Sequence, residues 1–250
     1  MTSTNAGLPT GVRACLFDLD GVVTRTAAQH AKAWKTMFDR FLAEYAPQQP
    51  PFGIDDDYVR YVDGRKRLDG TRAFLASRDI HLPEGTPTDT AADHTVRGLS
   101  NAKNALVLQL IEDEGVQVFD DAVAYVTALR DAGIPRAVVT SSANAEQVLT
   151  VTGLAGLFDR RVDALVAAER GLAGKPAPDT FLAGAELLGV PPERAAVFED
   201  ALAGVEAGRA GGFGFVVGVD RLGRGDSADA LKEHGADVVV TALTDLLAQR

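Results

Sequence analysis

Leu16-Phe17-Asp18-Leu19-Asp20-Gly21-Val22-Val23-Thr24 is the stretch that decides the fold. The run leading into it, Val12, Ala14, Cys15, Leu16 and Phe17, is apolar, as a strand buried in a parallel sheet must be. It then delivers two carboxylates, two positions apart, and a glycine. Open α/β sheets bind ligands beyond the carboxyl ends of their strands, and Asp18 and Asp20 fall at such an end. Two neighbouring carboxylates repel each other unless a cation or phosphate chemistry holds them together. Taken alone, the pattern D-x-D-G also describes an Asp-rich turn after a strand, so the rest of the chain has to separate the two readings.

The totals bound the answer. A chain of 250 residues, 46% hydrophobic and 24% charged, can bury one large core or two modest ones. A net charge of −10 argues against nucleic acid or an anionic membrane as partner, so an anionic substrate needs a local basic patch. The single cysteine excludes an intrachain disulfide and a multi-cysteine zinc site, and its place in the first strand predicts a buried structural thiol. Residues 1–10 are small and polar without a basic-then-apolar pattern, which predicts a flexible leader and no signal peptide. No apolar run is long enough for a bilayer. The expectation is a cytoplasmic, monomeric enzyme with a small-molecule substrate.

Outward from the first strand, Thr26 to Tyr45 turns helical. Ala27, His30, Ala31 and Trp34 share a side, which Phe38, Phe41 and Leu42 extend. His30 and Trp34 fit a core stripe as well as they fit a binding face. Pro47, Pro50 and Pro51 then stop the helix. Residues 52–105 are helical in flavour, with a loop over Glu84 to Thr90. In Val62-Asp63-Gly64-Arg65-Lys66-Arg67-Leu68-Asp69-Gly70, two glycines flank three consecutive cations. This is either a solvated charged loop or an anion clamp able to approach a ligand closely. Asn101, Lys103 and Asn104 make a smaller polar cluster.

From about residue 116 helices and strands alternate, the grammar of βαβ units. Asp120 can cap a helix that ends at Gly133. The strand Ala137–Val139 ends in Thr140-Ser141-Ser142-Ala143-Asn144, either an anion site at a strand-to-helix turn or an ordinary Ser/Thr cap. An apolar strand near 162–167 precedes Gly174-Lys175-Pro176-Ala177-Pro178-Asp179, where Asp179 can cap the next helix. The strand Ala195–Phe198 ends in Glu199-Asp200. Further strands are expected at Phe215–Val219 and Asp237–Val240, with a short helix over Ala242 to Ala248. Strand ends thus deliver Asp18 and Asp20, Thr140, a loop with Lys175, and Glu199 with Asp200, all to one edge of one sheet. The helical block after the first strand is too large for a crossover. The expected organisation is an α/β Rossmann-like core over 11–25 and 110–250 with a helical cap inserted over 26–109.

These residues together resemble the haloacid dehalogenase-like superfamily of phosphotransferases, over nearly the whole chain. Phe17-Asp18-Leu19-Asp20-Gly21-Val22 is similar to its first motif, Thr140 to its second, Lys175 to its third and Glu199-Asp200 to its fourth. Gly21 to Lys35, the cap loop from Gly64 to Asp69, Lys103-Asn104 and Gly174 to Asp179 resemble the β-phosphoglucomutase-like branch. One position departs: that branch has a cation before the asparagine of the second motif, where this chain has Ala143, and Arg65 and Lys66 are the nearest candidates to replace it.

The chemistry of phosphoryl transfer needs in-line positioning and neutralised oxygens. Asp18 is the expected nucleophile, forming an aspartyl phosphate. Asp20, on the same side of an extended chain, is the expected general acid and base. Lys175 would supply a positive charge opposite the metal, and Thr140 with the Ser141 N–H would hold a phosphoryl oxygen. Mg²⁺ would take Asp18 and Asp200, with Glu199 a further candidate and the Asp20 main-chain carbonyl implied by the resemblance. His30, Trp34, Gly64, Arg65, Arg67, Lys103, Ser142 and Asn144 would bind the sugar phosphate and its second phosphate. The resemblance implies conversion of β-D-glucose 1-phosphate to glucose 6-phosphate through the 1,6-bisphosphate. A sugar-phosphate hydrolase is the alternative, and a phosphosugar sensor on the same fold a third reading.

Overall fold

Strand β1 (Ala14–Phe17) is fully buried and hydrogen-bonded on both sides, parallel to β2 (Arg136–Val139) and to β4 (Ala195–Glu199). In the computed structural model, which describes residues 6–221, 223 and 225–248, these strands form the centre of a six-stranded parallel sheet. β3 (Arg160–Val162), β5 (Phe215–Val219) and β6 (Val238–Val240) complete it in the order β3-β2-β1-β4-β5-β6. The chain runs outward from β1 to β3 on one side and from β4 to β6 on the other. The strand order therefore reverses between β1 and β4, the point where open sheets form their ligand crevice.

The chain divides into two units, Met1–Arg25 with Gln117–Arg250, and Thr26–Val116. The first is the sheet unit. On one face Leu16, Val139, Phe181, Val197, Val205 and Val216 share a core. Phe17 and Phe198, paired across β1 and β4, stack at 4.3 Å between centroids, and both meet Tyr125 of α4 (Asp120–Asp131). Helices α5 (Ala145–Val151), α6 (Ala164–Glu169), α7 (Asp179–Leu188), α8 (Leu202–Ala210), α9 (Gly225–Glu233) and α10 (Asp245–Ala248) follow their strands.

The second unit is helical. α1 (Thr26–Tyr45), α2 (Arg67–Ser77) and α3 (Val96–Glu114) pack with a π-helical stretch, Ile54–Val62. Their core is aromatic, with Trp34, Phe38, Phe52 and Phe74, and Phe38 lies 4.0 Å from Phe74 between centroids. At one end of the α1–α3 pair Tyr45 meets His94; at the other Gln29 donates to the Gly115 carbonyl, so the two helices run antiparallel.

Four expectations need correction. The segment expected as a strand near 162–167 is β3 ending at Val162 and then α6, because Asp163 turns and caps a helix through the Leu165 and Val166 N–H groups. The inserted unit runs to Val116 rather than 109, since α3 continues to Glu114. Arg67 to Gly70 are not loop: they open α2. Asp120 and Asp179 are first helical residues, after caps at Phe119 and Pro178, and Asp179 instead accepts the Ala173 N–H.

The leader expected to be flexible is also anchored where it is described. Leu8 is 2% exposed, Ala6 is buried, and the Tyr125 hydroxyl donates to the Ala6 carbonyl; residues 1–5 lie outside the described chain. Polar composition hid one leucine that completes the core. Leu8→Ala should therefore cost about 2–4 kcal/mol in urea unfolding, as a buried leucine does, whereas a mobile leader would cost nothing.

Candidate active site

The site is assembled from three strand ends and one loop. Asp18 extends β1: its N–H still donates to the Phe198 carbonyl of the neighbouring strand (3.0 Å), so the carboxylate leaves the sheet edge in a fixed direction. It is 6% exposed. Lys175, from the loop before α7, is buried and donates to Asp18 Oδ1 (2.5 Å), to the Val139 carbonyl at the end of β2 (3.2 Å) and to Glu199 Oε1 at the end of β4. One ammonium thus binds β1, β2 and β4 at the point where the strand order reverses.

The other Asp18 oxygen accepts the Asp20 N–H at 2.8 Å. That bond fixes the backbone between the two aspartates. Asp20 Oδ2 in turn accepts from the Thr140 hydroxyl (3.2 Å), and Thr140 Oγ1 accepts the Ser142 N–H (3.1 Å). The Ser142 hydroxyl oxygen accepts the Asn144 N–H at 3.2 Å, closing the turn onto α5. Thr140 therefore ties the second strand end to the second aspartate.

Burial pushes the Asp18 carboxyl well above the ordinary carboxylate range; Lys175 opposes this, while Glu199 and Asp20 add to it. For Lys175 burial acts to lower the pKa, but Asp18 and Glu199 outweigh it and hold the ammonium charged. A buried carboxylate that needs more cationic charge than one lysine supplies is suited to a phosphoryl group arriving with a metal.

Gly21 follows the aspartates at φ +96°, in the region that favours glycine. A Cβ there would overlap the Asp200 carboxylate, so the missing side chain is the space that carboxylate occupies. Asp18 and Asp200 offer carboxylate oxygens and Asp20 a main-chain carbonyl, the hard oxygen donors that Mg²⁺ takes while keeping waters and substrate phosphate. Among the described residues no group of three or more His, Cys, Asp or Glu side chains is arranged to hold a metal ion. Gly21→Ala should cost about 1–3 kcal/mol of stability and raise the Mg²⁺ concentration needed for half-maximal turnover. Titrating Mg²⁺ against the variant checks it; an unchanged requirement would disconnect Gly21 from the metal.

Glu199 is held inside the sheet unit. It is 0% exposed, with one oxygen on Lys175 and the other accepting the Ala201 N–H (3.0 Å). Gly204 of α8 leaves room for it: a Cβ there would overlap the carboxylate. Both Glu199 oxygens are thus engaged within the sheet unit, one by Lys175 and one by the Ala201 N–H.

Ser141 lies in the turn after β2, while His30, Trp34, Gly64, Arg65, Arg67 and Lys103 lie in the helical unit. Lys103, buried on α3, is 2.9 Å from His30 Nδ1 and lies over the Trp34 ring at 4.9 Å. The Thr71 and Ser100 hydroxyls hydrogen-bond at 2.9 Å, joining α2 to α3. Arg67 stands one turn before Thr71, and Lys103 about one turn after Ser100. Arg67 Nε is buried with no hydrogen-bond partner among the described residues, and burial holds its pKa below the usual arginine value. Gly64, at φ +68°, and Arg65 precede α2 in the loop.

A family model for haloacid dehalogenase-like hydrolases matches residues 12–212, a span that holds all three strand ends and the Lys175 loop. The chain belongs to this family. As a haloacid dehalogenase-like protein it is an enzyme of the phosphotransferase type. It is 56% identical over 245 residues to a β-phosphoglucomutase of Mycobacterium bovis, covering 96% of this chain and 94% of that one. It is 32% identical over 197 residues to hexitol phosphatase A of Escherichia coli, covering 79% of this chain and 78% of that one. Among solved structures, a β-phosphoglucomutase of Clostridium difficile superposes with a TM-score of 0.71 at 24% identity, covering 94% of this chain and 93% of that one. That likeness is one of fold. No helix among the described residues is long and apolar enough to cross a membrane.

Proposed function

We propose that the chain is a Mg²⁺-dependent β-phosphoglucomutase, interconverting β-D-glucose 1-phosphate and glucose 6-phosphate through the 1,6-bisphosphate. The observation that carries the chemistry is the buried Asp18 held at one oxygen by Lys175 and at the other by the Asp20 N–H. The substrate assignment rests on the 56% identity to the mycobacterial mutase.

In this reading Asp18 is the nucleophile. Its carboxylate forms the bond to phosphorus while the phosphorus–oxygen bond to the sugar breaks, and the leaving oxygen takes its proton from Asp20. On the return, Asp20 removes the proton from the sugar hydroxyl that attacks the aspartyl phosphate. Thr140 orients the Asp20 carboxyl for both steps through its hydroxyl. Lys175 keeps the nucleophile fixed and offsets charge on the transferring group. The metal, held by Asp18, Asp200 and the Asp20 carbonyl, would supply charge neutralisation to the phosphoryl oxygens.

Sugar phosphates carry a second anionic end in the bisphosphate, and the cationic group of the helical unit is suited to it. Arg67, with its unpartnered Nε, and Lys103 are the cations we assign to that end, with His30 and Trp34 framing Lys103. Gly64, Arg65, Ser141, Ser142 and Asn144 complete the proposed contacts.

A sugar-phosphate phosphatase is the second reading, supported by the 32% identity to hexitol phosphatase A. One assay separates the two. Purified protein is given β-glucose 1-phosphate, Mg²⁺ and a trace of the 1,6-bisphosphate. Glucose 6-phosphate is the expected product; free phosphate without glucose 6-phosphate would assign the hydrolase.

A further inference from the structure

Arg221, just after β5, has no place in the motifs, yet its side chain reaches the loop that carries the catalytic aspartates. Its Nη2 donates to the Val22 carbonyl (2.6 Å) and its Nε to the Gly21 carbonyl (3.3 Å). Nη1 is held by Asp121 of α4 (2.8 Å) and by the Thr241 carbonyl (3.1 Å). The guanidinium lies 3.9 Å from the centroid of the Phe119 ring, over which Arg25 also lies at 4.2 Å. Asp121 is itself fixed, because its Oδ2 accepts the Leu243 N–H at 2.6 Å. The planar fork thus binds three segments of the sheet unit at once, which a lysine cannot do.

The loop it binds is otherwise held mostly by its own hydrogen bonds. The Gly21 N–H donates to the Thr24 carbonyl, the Val23 and Thr24 N–H groups to the Leu19 carbonyl, and the Thr24 hydroxyl to that same carbonyl. The Val23 carbonyl accepts from Phe119 N–H. Gly21 and Val22 are buried, and the hydrogen bonds that reach their carbonyls come from Arg221 among the described residues. Buried carbonyls need donors, so this side chain helps to set where the turn directly after Asp20 sits. Thr140 holds the Asp20 carboxyl from one side; Arg221 holds the backbone that follows it.

We propose that Arg221 is a positioning residue for the acid–base carboxyl of Asp20, acting through the Gly21 and Val22 carbonyls. It touches neither substrate nor the reacting atoms. The inference rests on the proposed mechanism, in which Asp20 protonates a poor leaving group. A donor whose leaving group needs no proton isolates that role. Acetyl phosphate is such a donor: Asp18 Oδ bonds to phosphorus, the bond from phosphorus to the acetyl oxygen breaks, and acetate leaves with the electron pair unprotonated.

The test compares wild type, Asp20→Asn, Arg221→Ala and Arg221→Lys in two measurements. One is turnover of β-glucose 1-phosphate; the other is the first-turnover rate of Asp18 phosphorylation by acetyl phosphate, followed by mass spectrometry. Arg221→Ala is expected to lower kcat for the sugar phosphate about 100-fold, the scale of a catalytic group displaced by about an ångström, with acetyl phosphate labelling changed less than about threefold. Asp20→Asn should show the same selective loss, and larger. Guanidinium chloride at low, non-denaturing concentration should restore part of the Arg221→Ala activity. Arg221→Lys keeps the charge opposite Asp121 and should fold, yet show a sugar-selective loss between those of wild type and Arg221→Ala. Equal losses on both donors for both Arg221 variants, or no loss on either, overturns the positioning role while Asp20→Asn remains selective. Failure of Asp20→Asn to be selective, or of wild type to accept either donor, would instead remove the mechanism beneath it.

Discussion

Asp18→Asn is expected to lower sugar-phosphate turnover by about four orders of magnitude or more, without unfolding the protein. A nucleophile that forms a covalent intermediate cannot be replaced by an amide, and loss of a nucleophile in an active site costs on this scale. The fold should tolerate the change because the amide oxygen can still accept from Lys175 or from the Asp20 N–H. Burial disfavours the ionised form of Asp18, so a neutral side chain removes a cost there. Thermal unfolding should therefore move by less than about 3 °C, or upward. A variant that unfolds early would mean that the Asp18–Lys175 pair is a structural staple, and loss of activity would no longer speak for a nucleophile.

Lys175→Met has the second large effect, and it falls on both stability and rate. Lys175 is the cation between Asp18 and Glu199, and all three are buried. Its loss leaves two carboxylates facing each other without a counter-ion, which costs about 3–5 kcal/mol. For a chain of this size that is a drop of about 10 °C in the unfolding midpoint. The loss should shrink as pH falls. A carboxyl whose pKa is raised in the folded state becomes neutral on folding at low pH, and its penalty is fully present only above that pKa. Turnover in whatever remains folded should fall a further 10²–10³-fold, about the value of one electrostatic contact to the transferring group. The contrast with Asp18→Asn is the informative part: one variant is stable and inactive, the other unstable and inactive. A stable Lys175→Met protein would show that Glu199 finds another partner.

The strand ends were legible because their chemistry is local. Asp18, Thr140, Lys175 and Glu199 each follow an apolar run or a turn signal, and parallel strands bring such ends to one edge whatever lies between. The surroundings of Glu199 were not legible. Glutamate and aspartate are neighbours in sequence, yet one is buried against Lys175 and the other lies beside Gly21. Arg221 was invisible for the same reason. Its partners, Gly21 with Val22, Asp121 and Thr241, come from three separate segments, and a single arginine after a strand carries no spacing signal. The strand expected near 162–167 failed where an apolar run of strand length was in fact helical, an ambiguity periodicity does not resolve; Asp163, the cap, was the overlooked sign.

The most direct test of phosphoryl transfer through Asp18 is peptide mapping of the trapped phosphoenzyme. Protein quenched during turnover of β-glucose 1-phosphate in Mg²⁺ would be digested, and the peptide carrying one added phosphoryl group sequenced by mass spectrometry. The expected result is a single acyl phosphate on Asp18, absent in Asp18→Asn. Turnover with the phosphoryl group on another residue, or with undiminished activity in Asp18→Asn, would contradict it.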